Sequence, residues 1–240
     1  MAVDEVLAES AAESGIVALR FYAWSEPTVS LGYFQHYADR EAHAASRSCP
    51  IVRRESGGGA IVHDRELTYS LAVPLTHPLA GNATGLYDVA HQSLVALLAA
   101  QGVTAWQHQP AANVPRNSRA KSEPFLCFQR RASGDVLVAG AVAPADHKIC
   151  GSAQRRRRGA IEQHGSVLLR ASSAAPELPG LFDVTRFGGS LEQLRDAWTA
   201  ALAARLQLRL TPIPLVATER TAAEELASTK YGHSSWTHRR

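Results

Sequence analysis

The sequence predicts an α+β fold, a mixed β-sheet with flanking helices. Three observations carry that expectation. Short runs of alternating apolar and polar residues come in two groups, one before residue 74 and one between residues 135 and 169. Segments with apolar residues at helical spacing lie before, between and after these groups, which suits helices packed on a sheet better than a strict βαβ alternation. The third is a triple glycine, Gly57-Gly58-Gly59, set between two strand-like runs.

In chain order, residues 2–13 place Val3, Val6, Leu7 and Ala11 on one side of an amphipathic helix. Residues 16–23 alternate as a strand, Glu26-Pro27 makes a turn, and residues 28–33 form a second strand. A short helix is expected over 39–46, and strands over 49–54 and 66–73 flank the glycine loop. Residues 87–101 read as a helix with Val89, Leu94, Leu97 and Leu98 inward and Gly102 as its stop. Residues 109–124 are polar, with three prolines and no period, and are expected to form a long mobile loop. Strands are expected over 135–139, 147–152 and 161–169, then helices over 191–206 and 217–230. Length favours one domain over residues 1–240.

Composition excludes several classes. No apolar run approaches the eighteen or so residues of a membrane helix, and the N-terminus carries acids where a signal peptide carries base. A cytoplasmic protein with no membrane partner is expected. A net charge of +3 is small for 240 residues and gives no reason to expect nucleic acid, although four consecutive arginines at 155–158 form one local anion-attracting patch. Cys49, Cys127 and Cys150 have no metal spacing, and their odd number favours free thiols.

Two stretches hold the chemistry. In Arg53-Arg54-Glu55-Ser56-Gly57-Gly58-Gly59, three glycines suit positive φ or close approach to a ligand, and their N–H groups would cradle a carboxylate or an oxyanion. The arginines would add charged donors, and His63 beside Asp64 would move a proton. The bland alternative is a flexible hairpin with a solvated arginine pair. The second stretch runs from Lys148 through Gly151-Ser152 to His164-Gly165, with both short motifs read as turns. Cys150 is two residues from Lys148 and would share its strand face, so spacing favours Cys150 slightly over Cys127 as nucleophile. A buried inert thiol is the ordinary alternative for each cysteine; for His164 it is a turn hydrogen bond.

Several motifs, taken together, resemble the biotin/lipoate protein ligase superfamily. They are Met1-Ala-Val-Asp-Glu5, Arg20-Phe-Tyr-Ala-Trp24, Ser30-Leu-Gly-Tyr-Phe-Gln35, Arg53-Arg-x-Ser-Gly-Gly-x-Ala60, His63-Asp-x-Glu-Leu-Thr-Tyr-Ser70, Cys127-Phe128, Lys148-Ile-x-Gly-Ser-Ala-Gln154, Gln163-His-Gly-Ser166 and Thr229-Lys-Tyr231 with Trp236. Within it, the chain is similar to the cysteine-dependent octanoyl-[acyl carrier protein]:protein N-octanoyltransferases. The resemblance implies a biotin/lipoate ligase catalytic-domain fold of class II synthetase type. It implies Cys127 as nucleophile and Lys148 as active-site lysine, which overrides the spacing argument for Cys150. Arg53, Ser56, Gly57, Gly58, Gly59, His63, Gly151, Ser152, His164 and Gly165 would bind the acyl group and substrate, with an apolar slot for the octanoyl tail between the glycine loop and strand 161–169. The implied partners are octanoyl-acyl carrier protein and a lipoyl-domain protein, either the glycine cleavage H protein or a 2-oxoacid dehydrogenase E2, with no cofactor. Ser56-Gly57-Gly58-Gly59 is closer to the ligases' loop and supports the alternative, a lipoate–protein ligase using ATP and Mg²⁺. Biotin–protein ligase fits less well, an amidotransferase would share most of these residues, and a non-catalytic carrier-binding module would be expected to have lost Cys127 or Lys148.

Overall fold

The computed structural model describes residues 1–110, 123–141, 145–157 and 159–240. Most of the expected 109–124 loop and Arg158 lie outside the described residues. Among the described residues, nine strands make two sheets. The larger has six, β1 (Ala18–Tyr22), β5 (Glu66–Pro74), β9 (Ala160–Leu168), β8 (Asp146–Arg156), β7 (Val136–Ala139) and β6 (Ala105–Gln107), in that spatial order and antiparallel throughout. The smaller has three. Its central β2 (Thr28–Leu31) runs parallel to β3 (Ile51–Arg53) and antiparallel to β4 (Ile61–His63). The expected mixing of strand directions is confined to this small sheet.

All nine residues of β5 are buried, because both faces of the large sheet are covered. Leu67, Tyr69, Leu71 and Val73 join the main core with α2 (Ala83–Ala100) and α4 (Leu191–Arg205). Helix α2 contributes Leu86, Ala90, Leu94 and Leu98, one stripe at a spacing of four, while Trp198 of α4 donates from Nε1 to Ser93 Oγ at 2.9 Å. The Asn82 side chain caps α2 through the Gly85 N–H, so the helix starts one turn earlier than its apolar pattern suggested.

The other face carries Glu66, Thr68 and Ser70 of β5 and Glu162, His164 and Ser166 of β9. It is polar because it meets α1 (Ala2–Ser14) and the small sheet through paired groups. Asp4 of α1, 3 % exposed, accepts from Arg20, Tyr22 and Ser70. Ala8 and Ala11 let α1 approach Ala72 closely.

Where a helix was expected over 39–46 there are two 3₁₀ turns, Tyr37–Ala42 and Ala44–Ser46. Strands β4 and β6, three residues each, were too short for periodicity to find. The last expected helix divides into α5 (Ala217–Leu226) and a π-helical turn, Ala227–Tyr231. Short α3 (Leu181–Val184) and α6 (Ser234–Thr237) were also missed.

Candidate active site

Cys127 opens a 3₁₀ turn, Cys127–Gln129, and is half-buried. An isolated parallel bridge holds the turn beside the glycine loop: Ala60 N–H donates to Phe125 O at 2.9 Å and Cys127 N–H to Ala60 O at 2.7 Å. Lys148 reaches the same turn from β8. Its Nζ lies 2.7 Å from Asp135 Oδ2, 3.3 Å from Cys127 O and 3.2 Å from Arg130 O. A Cβ on Gly151 would stand 2.9 Å from Lys148 Cε and 3.2 Å from Nζ, so only glycine leaves room for the lysine to fold back over its own strand.

Across from the turn, Gly58 adopts φ +94, the left-handed region that favours glycine. A side chain there would begin 3.2 Å from an Arg54 amino nitrogen and 3.9 Å from Cys127 Sγ. Gly59 packs against Phe125 O and Cys127 N. Arg54 is buried and holds the loop from inside, donating to Ser30 O, Gly57 O and Gly59 O at 2.7, 2.8 and 2.6 Å. Burial lowers its pKa to about 10, and the nearby Cys127 charge opposes that fall. Among the described residues no hydrogen bond uses the N–H groups of Gly58 or Gly59, which leaves them for a ligand.

Beyond Arg54 a narrow cleft, part of it open to solvent, lies between the start of the glycine loop, at Glu55 and Ser56, and β9. Trp24 and Tyr22 line it together with Ser56, His63, Glu162 and His164. Ser56 Oγ is 2.7 Å from His164 Nε2. Burial, then the Arg54 charge, lowers the His164 pKa to about 3, so this histidine is neutral at pH 7. His63 stacks on Trp24, ring centroids 4.1 Å apart, and its Nδ1 bonds Glu66. The expected apolar slot is therefore a mixed one, because β9 turns its polar residues this way. Met1, Tyr22, Trp24 and Tyr231 are the residues with apolar parts along its lining.

A half-buried cysteine on a 3₁₀ turn, a buried lysine and a glycine loop whose N–H groups are unused among the described residues can be compared with known proteins. Residues 1–184 match the family model of the lipoyl protein ligase A/B catalytic domain. The chain belongs to that family. Among curated relatives it is 34 % identical to Octanoyltransferase LipM of Kyrpidia tusciae, over 100 % of this chain and 94 % of the relative. It is 30 % identical to Octanoyltransferase LipM of Geobacillus kaustophilus, over 100 % and 93 %. Solved structures share the fold. A lipoate-protein ligase A bound with ATP superposes with TM-score 0.75 at 21 % identity, covering 99 % of this chain and 92 % of the other. The bi-partite lipoate protein ligase of Thermoplasma acidophilum gives 0.70 at 19 % identity, covering 98 % and 91 %.

In this lipoyl ligase-family chain several expected site residues have other tasks. Arg53 is fully buried and gives its donors to Thr237 O, Gly32 O and Gln35 O, so it ties β3 to the C-terminal segment and does not face the cleft. Ser152 and Gly165 lie within strands, not turns, and sit behind the site. Ser152 Oγ bonds His91 Nε2 at 2.7 Å and Tyr69 OH at 2.6 Å, and a Cβ on Gly165 would strike that hydroxyl at 2.2 Å. Asp64 accepts from Ser172 and leaves His63 to Glu66.

Cys150 does not share a face with Lys148. The ladder between β7 and β8 shifts register at Val136/Leu137, and this bulge turns both Ile149 and Cys150 into the main core. Burial, then the Asp135 charge, pushes the Cys150 thiol well above the usual range, and burial also raises that of Cys49. Arg157 is no docking cation. It pairs with Glu5, Glu55 and Glu162 at 3.0, 2.6 and 3.2 Å. Asp135 and Trp24 were missed as site residues. The only sequence signal for Asp135 was a lone acid before the apolar run Val136–Ala139.

Proposed function

We propose that the chain is an octanoyltransferase of protein lipoylation, acting as one catalytic domain through an octanoyl thioester on Cys127. The placement of Cys127 carries this reading. Of the three thiols, it alone stands against the glycine loop, between buried Arg54 and the Lys148 ammonium. The thiolate is the form of a cysteine that attacks. The activity named for the relatives supports the same reading.

The thiolate attacks the carbonyl carbon of octanoyl-acyl carrier protein. A new sulfur–carbon bond forms, the donor's carbon–sulfur bond breaks, and the donor thiolate leaves and takes a proton from water. The amine of a lipoyl-domain lysine then attacks the acyl-enzyme, giving an amide, a released proton and the Cys127 thiolate. The thioester supplies the driving force, so no cofactor is required. Gly58 and Gly59 N–H groups are the candidate oxyanion donors, each contributing about 3 kcal/mol when well aimed. Trp24 and Tyr22 would cover part of the alkyl tail, at roughly 0.8 kcal/mol per buried methylene. The T. acidophilum ligase is described with its E2 lipoyl domain, which supports a lipoyl-domain acceptor for this chain, whether E2 or H protein.

Incubation with octanoyl-acyl carrier protein without ATP, followed by intact mass measurement, tests the proposal. A hydroxylamine-labile octanoyl adduct at Cys127 is expected. Lipoyl-domain modification that appears only with ATP, Mg²⁺ and free acid would replace this reading with the ligase.

A further inference from the structure

We propose that Asp135 is a positioning residue for the nucleophile, clamping the Cys127 turn through Lys148. The inference takes Cys127 as the reacting thiol but does not depend on octanoyl as its substrate.

The clamp is complete in its hydrogen bonds. Lys148 as an ammonium has three N–H donors and faces three acceptors: Asp135 Oδ2, Cys127 O and Arg130 O. The two carbonyls stand at the first residue of the 3₁₀ turn and just past its last, so one cation spans the turn. A neutral amine would aim a lone pair at one of these oxygens, so the geometry selects the charged form. Lys148 therefore acts in the resting protein as a held cation and not as the base that takes the thiol proton.

Asp135 is fixed for this task from two directions. Its side chain is 2 % exposed; Oδ2 accepts the Ala132 N–H at 2.6 Å, and Oδ1 accepts from Tyr87 OH at 3.3 Å. Tyr87 in turn packs on His91, ring centroids 4.1 Å apart, so the carboxylate is backed by the main core. The bulge in β8 and the bare Cα of Gly151 bring Lys148 onto this face. The arrangement spends two buried charges on a single turn, and that turn carries the reactive sulfur.

The test uses Asp135→Asn, Asp135→Glu and the double variant Asp135→Asn/Lys148→Met, with two readouts. In steady-state transfer, Asp135→Asn is expected to lower kcat on the order of tenfold or more with little change in KM, because positioning and not substrate binding is lost. Amide hydrogen exchange should accelerate in residues 124–131 while α2 and β5 keep wild-type protection. Asp135→Glu should recover part of both. The double variant, in which no buried charge is left unpaired, should fold even where the single one does not, and its turn should still exchange fast. Uniformly faster exchange, unchanged exchange at 124–131, or wild-type kcat in Asp135→Asn would overturn the inference. Exchange is read without an acyl donor, so local loosening in a protein that forms no octanoyl adduct would keep the clamp and sink only the proposed activity.

Discussion

The two walls of the candidate site are held by different means. The Cys127 wall is fastened locally. Lys148, Asp135 and the turn carbonyls all lie within 21 residues of Cys127, on β8 and in the segment before β7. The glycine-loop wall is fastened by the chain's ends. Glu55, inside the loop, pairs with Lys230 and Arg157, and both cations also hold Glu5 of α1, which Tyr231 bonds as well. Arg53 adds two bonds to Thr237 O, and Trp236 Nε1 returns one to Arg53 O. Bonds that span 102 to 226 residues form only when the whole fold is in place. One wall can thus be weakened by changes near Cys127, the other by changes in the terminal segments.

The largest expected effect separates the thiols. Cys127→Ala should abolish the acyl-enzyme and lower transfer by about three orders of magnitude or more, because the covalent route disappears. Cys150→Ala should keep the adduct and show only the modest destabilisation, about 1 kcal/mol, of a small core cavity. Intact mass and urea melting read both. Adduct formation that survives Cys127→Ala and fails in Cys150→Ala would reverse the assignment of the two cysteines.

The loop wall should respond through stability first. Arg157→Met leaves Glu5 with Lys230 and Tyr231, leaves Glu55 with Lys230 and the more distant Arg155, and takes from Glu162 its arginine partner. Leaving buried carboxylates short of a partner costs about 3–5 kcal/mol. Urea melting should show that loss, and whatever protein remains folded should still acylate Cys127. Little change in stability would mean that the lattice is solvated enough to be dispensable, and the contrast between the two walls would fail.

How far each wall could be read in the sequence follows from the same contrast. Helices α2 and α4 and the long strands β5 and β9 were legible because each repeats its period several times. Cys127 and Lys148 were assigned from a family motif, not from spacing. Spacing misled at Cys150, because a bulge is a one-residue event that no alternation pattern reveals. Arg53 and Arg54 looked equivalent in sequence, yet adjacent residues on a strand face opposite ways: one meets the C-terminal segment and the other the glycine loop. The Glu5–Glu55–Arg157–Lys230 lattice was invisible for a plainer reason. Its members lie far apart along the chain, and each alone looks like an ordinary charged surface residue.

The smallest effect is a pH dependence in which the histidines and one glutamate have opposite signs. His91, behind the Cys127 wall, donates from Nδ1 to Gly134 O, and burial lowers its pKa to about 4; that of His164, on the loop side, is lowered to about 3. Both titrate near 6.5 when unfolded, so as pH falls below 6.5 the unfolded chain binds protons that the folded one refuses, and stability drops. Glu162 is reversed. Burial, then the charge of Asp4, raises its pKa to about 7 from 4.5, so the folded state binds the extra proton and stability rises as pH falls from 7 to 4.5. For these three groups the balance between pH 6.5 and 4.5 is a net loss equivalent to one proton, about 1.4 kcal/mol per pH unit. Urea titrations across this range should show His164→Gln and His91→Gln each flattening the fall, and Glu162→Gln steepening it. If His91→Gln flattens it and His164→Gln does not, the loop-side histidine is open enough to protonate in the folded protein, and the loop wall is the looser of the two.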